Sequence, residues 1–257
     1  MKANPALLFF LCAITFLQSC ATIYHPGVQN IPLLKEKGEV KLSATVNDYQ
    51  GAYAVTNHIG IMVNARQMSQ RPFQGFHLIP DRVDNKMLEI GAGYFAQGEK
   101  NWTSEIYAGA GVSVSGLIHA EQRISTYRFP GDTSRLPEYD SYFYDVQTRA
   151  ARYFLQSSVG FASKYVDVAF STRVVGLKWK SVNILHNGVD AVDYPGFRVL
   201  KFSMFAEPAV TIQAGYKSIK IRLQTGLSLC MDRYFKGNQV TFGSIGLVGD
   251  IGKWYQE

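Results

Sequence analysis

The segment "VSVSGLIHAE" brings Ser113, Ser115, His119 and Glu121 close together in the chain. A serine, a histidine and an acid are the parts of a nucleophilic hydrolase. The histidine takes the serine proton and the acid orients the ring. At a membrane edge such a set would serve a lipid acyl hydrolase or transferase. The three groups must meet in space, however, and in a chain this rich in serine their closeness in sequence is weak evidence. His25, His58, His77, His119 and His186 contain no H-x-x-x-H pair and no Cys/His cluster, so no metal is expected. No phosphate loop, nucleophile elbow or dinucleotide fingerprint is found, so no cofactor is expected. The formal net charge is +6, but the basic residues are scattered. Nucleic-acid binding would need a basic patch or a known motif.

Cys20 carries a stronger signal. Lys2 is followed by "ALLFFLCAITFL", an apolar run of 12 residues from Ala6 to Leu17. A helix needs about 20 residues to span a bilayer, so this run reads as a secretory signal over residues 1–19. The next stretch, "LQSC", resembles the lipobox of bacterial lipoproteins, with Leu17 at −3 and Ser19 at −1. Gln18 at −2 is the less usual member. The resemblance implies cleavage before Cys20 and lipid on its sulfur. The plain alternative is a cysteine that happens to lie near an ordinary cleavage site. If the lipobox is genuine, Cys12 leaves with the signal, Cys20 is capped by lipid, and no intramolecular disulfide is expected.

The elements that position these residues are strands. Fifteen tyrosines, 23 glycines and a low charge content suit strands better than helices. Residues 20–38, "CATIYHPGVQNIPLLKEKG", have two prolines and no clean period, and read as an extended, lipidated tether. From residue 39 the chain alternates apolar and polar residues, the pattern of strands with two unlike faces. In "IKIRLQTGLSL", Ile219, Ile221, Leu223, Leu227 and Leu229 oppose Lys220, Arg222, Gln224 and Ser228. About ten such segments are expected: 39–47, 49–56, 59–67, 86–96, 102–116, 149–162, 165–178, 202–215, 218–230 and 239–249. Many reach the 9–11 residues, roughly, that a tilted strand needs to cross a bilayer.

Short turns near Asn57, at 97–101, at 163–164 and near Tyr216 alternate with longer connections at 68–85, 117–148, 179–201 and 231–238. Tight turns on one rim and long loops on the other mark an outer-membrane barrel. Tyr94, Trp102, Phe161, Tyr165 and Tyr216 flank the short turns, as an interfacial aromatic girdle would. The expected fold is all-β: a single antiparallel up-and-down transmembrane barrel over residues 39–257. An even strand count puts both chain ends on the periplasmic side.

On this reading Lys41, Arg66, Glu89, Glu105, Arg152, Asp167, Arg173, Glu207, Lys220 and Arg222 face the lumen. Charges of both signs in a narrow space predict a ladder of ion pairs that fills the interior. A barrel of about eight strands is filled by its own side chains, whereas aqueous channels appear near 16. A small pore for polar solutes is the alternative. Pro208 cannot donate to a ladder, so a bulge is expected there on the outward face. The tyrosine-rich stretch from Tyr127 to Asp145 reads as an exposed loop.

The segments "SCATIYHPGVQNIPLLKEKGEVKLSATV", "GAYAVTNHIGIMVNA" and "FAEPAVTIQAGYKSIKIRLQTGLSL" resemble small β-barrel lipoproteins of Bacteroidota outer membranes. The resemblance implies an outer-membrane barrel in contact with lipid, and no activity. "ATIYH" lacks the acidic export signal that some surface lipoproteins of that phylum carry after the cysteine, which argues for a tether left inside. The external connections 117–148 and 179–201 are the expected contact sites for an extracellular ligand or protein.

Overall fold

The computed structural model describes residues 24–70, 82–128, 135–190, 202–216, 218–231 and 239–251. The chain forms β1 (Val40–Thr45), β2 (Asp48–Ala54), β3 (Ile59–Gln70), β4 (Arg82–Gln97), β5 (Trp102–Arg128) and β6 (Arg135–Ala162). It continues with β7 (Val166–His186), the two-residue β8 (Val189–Asp190), β9 (Phe202–Tyr216), β10 (Ile219–Cys230) and β11 (Gln239–Asp250). Consecutive strands pair antiparallel, and β11 returns to pair with β1, so the sheet closes. Ten strands form the wall; β8 only folds back antiparallel on the last two residues of β7.

Closure follows from the alternation. Each strand has one apolar and one mixed face, and a ring puts every mixed face inside. The outward faces are apolar and exposed on every wall strand. Leu42, Tyr49, Ile61, Ile90 and Ile106 represent β1 to β5. Leu155, Phe170, Ile212, Ile221 and Leu247 represent β6, β7, β9, β10 and β11. The interior holds buried Glu89, Glu105, Arg152, Arg173, Glu207 and Arg222. Tyr94, Trp102, Tyr165 and Tyr216 are exposed at the short-turn rim, where Tyr165 stacks on Tyr216 at 5.9 Å.

The long connections are shorter than the sequence suggests. Most of 117–148 is a continuation of β5 and β6, which pair from Trp102–Phe161 to Arg128–Arg135. β4 stops pairing with β5 at Ile118, and β7 reaches β6 only as far as Tyr144. Beyond these points β5 and β6 pair with each other as a two-stranded ribbon, with no third strand beside them among the described residues. The stretch from Tyr127 to Asp145 therefore lies largely on strand, and its side chains up to residue 143 are outside the described residues. Likewise β7 runs through residues 179–186 of the expected loop.

Pro208 makes no bulge. β9 pairs with β7 straight through it, Thr172 lying opposite Pro208. Against β10 the ladder lapses between Gly226–Ala209 and Leu229–Ala206 and resumes in the same register. A missing N–H removes bonds without adding a residue, so the register survives. Among the described residues the β6–β7 ladder does shift register, between Arg149–Ser181 and Ala150–Trp179, where Lys180 of β7 is the extra residue.

Candidate functional site

Residues 24–34 of the segment expected to be a tether lie inside the barrel. Tyr24, Val28, Gln29, Asn30, Ile31, Leu33 and Leu34 are all buried. Eight strands enclose an interior that side chains fill; ten enclose more. Here the extra space holds an extended length of the chain itself. Pro26 and Pro32 favour an extended form, which makes no internal hydrogen bonds. Its backbone groups must therefore find partners in the lumen.

They find them in side chains. The Gln224 Oε1 accepts from the Gln29 N–H at 2.7 Å, and the Gln224 Nε2 donates to the Gln29 carbonyl at 3.0 Å. Gln50 donates to the Val28 carbonyl at 2.6 Å, and Gln156 donates to that of Asn30 at 2.6 Å. Arg66 donates to the Pro26 carbonyl. Lys41 donates to the Leu33 carbonyl at 2.9 Å, and Glu105 accepts from the Leu34 N–H at 2.8 Å. The lumen thus reads an extended backbone as a peptide-binding groove would, with the chain as its own ligand.

Two glycines make room for the segment. A Cβ at Gly60 would stand 2.8 Å from Leu34 Cδ1, and one at Gly160 would stand 2.8 Å from Leu33 Cδ2. Leu33 holds a left-handed backbone, φ 48°, which costs a bulky residue about 1–2 kcal/mol. The seat on Gly160 and the bond from Lys41 hold it there. Gly160→Val is expected to destabilise the protein by about 1–3 kcal/mol through overpacking. In a Leu33→Ala background the loss should shrink, a coupling readable by denaturant unfolding of the four proteins of the cycle.

Around the far end of the segment lies the densest charge cluster. Arg152 Nε is 2.8 Å from Glu89 Oε1; Arg173 Nη1 is 3.3 Å from Glu89 Oε2, and its Nε is 3.2 Å from Glu207 Oε2. All four side chains are at most 1% exposed. The Tyr24 hydroxyl donates to Glu207 Oε1 at 2.5 Å. Its ring stacks on Phe205 at 4.1 Å and lies under the Arg152 guanidinium at 5.4 Å. Pairing of this quality is what makes four charges tolerable away from water.

All ten charged residues expected in the lumen lie on the inner side of the wall, but not as one ladder. Glu89, Arg152, Arg173 and Glu207 form the central cluster. Lys41, Arg66 and Glu105 grip the threaded backbone. Lys220 pairs with Asp167 at 2.6 Å near the short-turn mouth. Arg222 donates to Gln50 Oε1 at 2.9 Å. At that mouth Lys35, Lys41, Lys164, Lys220, Asp167 and Asp250 border a cleft of about 320 Å³.

Sequence reasoning missed the glutamines Gln50, Gln156 and Gln224, and the residues Tyr24 to Leu34 themselves. A signal existed. A solvated linker is rich in Gly, Ser or charge, whereas this one carries Tyr24, Val28, Ile31, Leu33 and Leu34.

Of the serine–histidine–acid segment, Ser113 is buried in the lumen, and Ser115 accepts from Asn85 Nδ2 at 2.7 Å. The side chains of His119 and Glu121 lie outside the described residues, as do Cys20 and His77. His58 stacks on Tyr94 and His186 on Tyr144. Among the described residues no group of three His, Cys, Asp or Glu is placed to hold a metal. No family model matches this chain, and no curated protein matches it.

Proposed function

We propose that the chain is an outer-membrane β-barrel, further anchored by lipid on Cys20, with a lumen stoppered by its own amino-terminal segment. Its role is structural or adhesive, exercised through the ribbon of β5 and β6 and the other long-loop connections. The observation that carries the reading is the inversion of the usual burial pattern. Ile90 is 68% exposed and Leu247 59%, while Arg173 and Glu207 are fully buried. Soluble monomers seldom expose contiguous apolar patches above a few hundred Å², roughly; here an apolar face encircles the barrel. In hydrocarbon every backbone group needs an internal partner, and a closed barrel provides this.

The aromatic residues at the short-turn rim suit a membrane interface, and the two-sided loop lengths suit a periplasmic and an external rim. A conducting pore is disfavoured by the threaded segment. The resemblance to Bacteroidota lipoproteins and the lipobox-like "LQSC" support lipidation and an envelope location.

The test has two arms. Cys20→Ala should abolish incorporation of labelled fatty acid yet leave the protein in the membrane fraction, extractable only with detergent. Ile90→Arg should weaken folding into lipid vesicles by about 2–4 kcal/mol, as expected for Arg near the bilayer midplane. On a soluble protein the same surface change would stay within about 0.5 kcal/mol. Release of Cys20→Ala without detergent, together with a neutral Ile90→Arg, would remove the membrane reading.

A further inference from the structure

We infer that the amino-terminal segment leaves the lumen at the long-loop end, so that Cys20 and the short-turn rim lie on opposite sides of the barrel. The start of β1 and the end of β11 are at the short-turn end, Lys41 lying opposite Asp250. Strand parity alone would put the amino terminus there as well. Before β1, however, the chain doubles back and climbs the inside of the barrel.

The climb can be followed contact by contact, counting residues up each strand from its short-turn end. Lys35 Nζ reaches the carbonyl of Ala162, the last residue of β6. Leu34 bonds Glu105, three residues above Trp102. Gln29 bonds Gln224, five residues above Ile219. Pro26 is held by Arg66, seven residues above Ile59. Tyr24 bonds Glu207, nine residues above Tyr216, and stacks on Phe205 two residues higher. Nine residues of a strand tilted by about 40° rise ~23 Å.

Cys20 is four residues before Tyr24, and four extended residues reach at most ~14 Å. That is too short to regain the short-turn end, and the path down is already occupied by residues 26–35. The way out upward is short. β1 and β2 are only 6 and 7 residues long, so the wall beside the segment is low. β3 to β7 rise higher, and Met68, Val83, Leu117, Val146 and Ile184 pack together on their lumen faces. The geometry directs the chain before Tyr24 toward the long-loop end. A lipid on Cys20 then enters the leaflet that faces the long loops.

The assignment of that leaflet to the cell exterior rests on the proposed function; the position of Cys20 relative to loops and turns does not. The test uses the full-length protein with a short epitope after Ala21, between Gly131 and Asp132, or after Lys100. Antibody labelling of intact and permeabilised cells is compared. The Ala21 epitope should behave as the Gly131 epitope does and unlike the Lys100 epitope. Labelling of Ala21 only together with Lys100 would overturn the inference. If Gly131 is the hidden site and Lys100 the accessible one, the outward orientation fails, but Ala21 must still follow Gly131.

Insertions that prevent assembly are covered by a distance measurement on purified protein in a Cys230→Ser background. A spin label at Thr22→Cys should lie nearer to one at Val189→Cys, on the long-loop side, than to one at Glu99→Cys. The reverse order would overturn the inference whether or not the protein is in a membrane.

Discussion

Arg173→Ala is expected to cost about 3–5 kcal/mol, the usual loss when one member of a buried ion-pair group is removed. Arg173 pairs directly with both Glu89 on β4 and Glu207 on β9, across the lumen, and it is 0% exposed. Without it Glu207 keeps, among the described residues, only the neutral Tyr24 and Ser228 hydroxyls, and Glu89 keeps Arg152 and Asn64. Two carboxylates would then share too little positive charge in a dry interior. Denaturant unfolding in detergent micelles, followed by tryptophan fluorescence, gives the loss directly. Arg173→Lys should fall between, because an ammonium cannot present the guanidinium fork to two carboxylates at once. Arg173→Met combined with Glu207→Gln should recover part of the loss, since the charge left behind is removed too. A loss below about 1 kcal/mol for Arg173→Ala would mean that water reaches the pair as it does at a surface.

The second large effect concerns conduction. The native protein is expected to be silent in a planar bilayer. Replacing residues 24–34 by a Gly/Ser stretch of the same length should open discrete conductance steps. Gly/Ser chains are flexible coils and offer none of the contacts that hold Tyr24, Leu33 and Leu34. The native contacts are individually modest, about 1 kcal/mol net for each hydrogen bond. Together they hold the segment, and their loss should also lower the unfolding midpoint. A synthetic peptide of residues 24–35 added to the opened variant should close it again, because the lumen recognises backbone through Gln50, Gln156 and Gln224. A folded variant that stays silent, or a native protein that conducts, would show that the segment is not what blocks the lumen.

Part of this was written plainly in the chain. The alternation through "IKIRLQTGLSL" identified which side chains of β10 point inward, because side-chain direction along a strand is local and has period two. The ten inward charges followed from the same rule. The alternation of turn lengths assigned the two rims. Strand ends were less legible. Polar and aromatic composition made 117–148 look like a loop, yet β5 and β6 support each other by pairing and need no neighbour. Pro208 marks a fault in the ladder that the sequence makes visible, but that it is a lapse and not a bulge shows only in the three-dimensional pairing, where the register resumes.

The sequence by itself determined the barrel, its inward and outward faces, and its short-turn rim, since these depend on pattern along the chain. What fills the barrel was decided only in the tertiary structure. The lumen's width is a property of the closed ring, and that width lets Tyr24 to Leu34 lie inside, seated on Gly60 and Gly160. Their partners, Gln224 above all, lie up to 195 residues away. No local signal joins residues so far apart, and it is this contact path that turned an expected tether at one rim into a thread running through to the other.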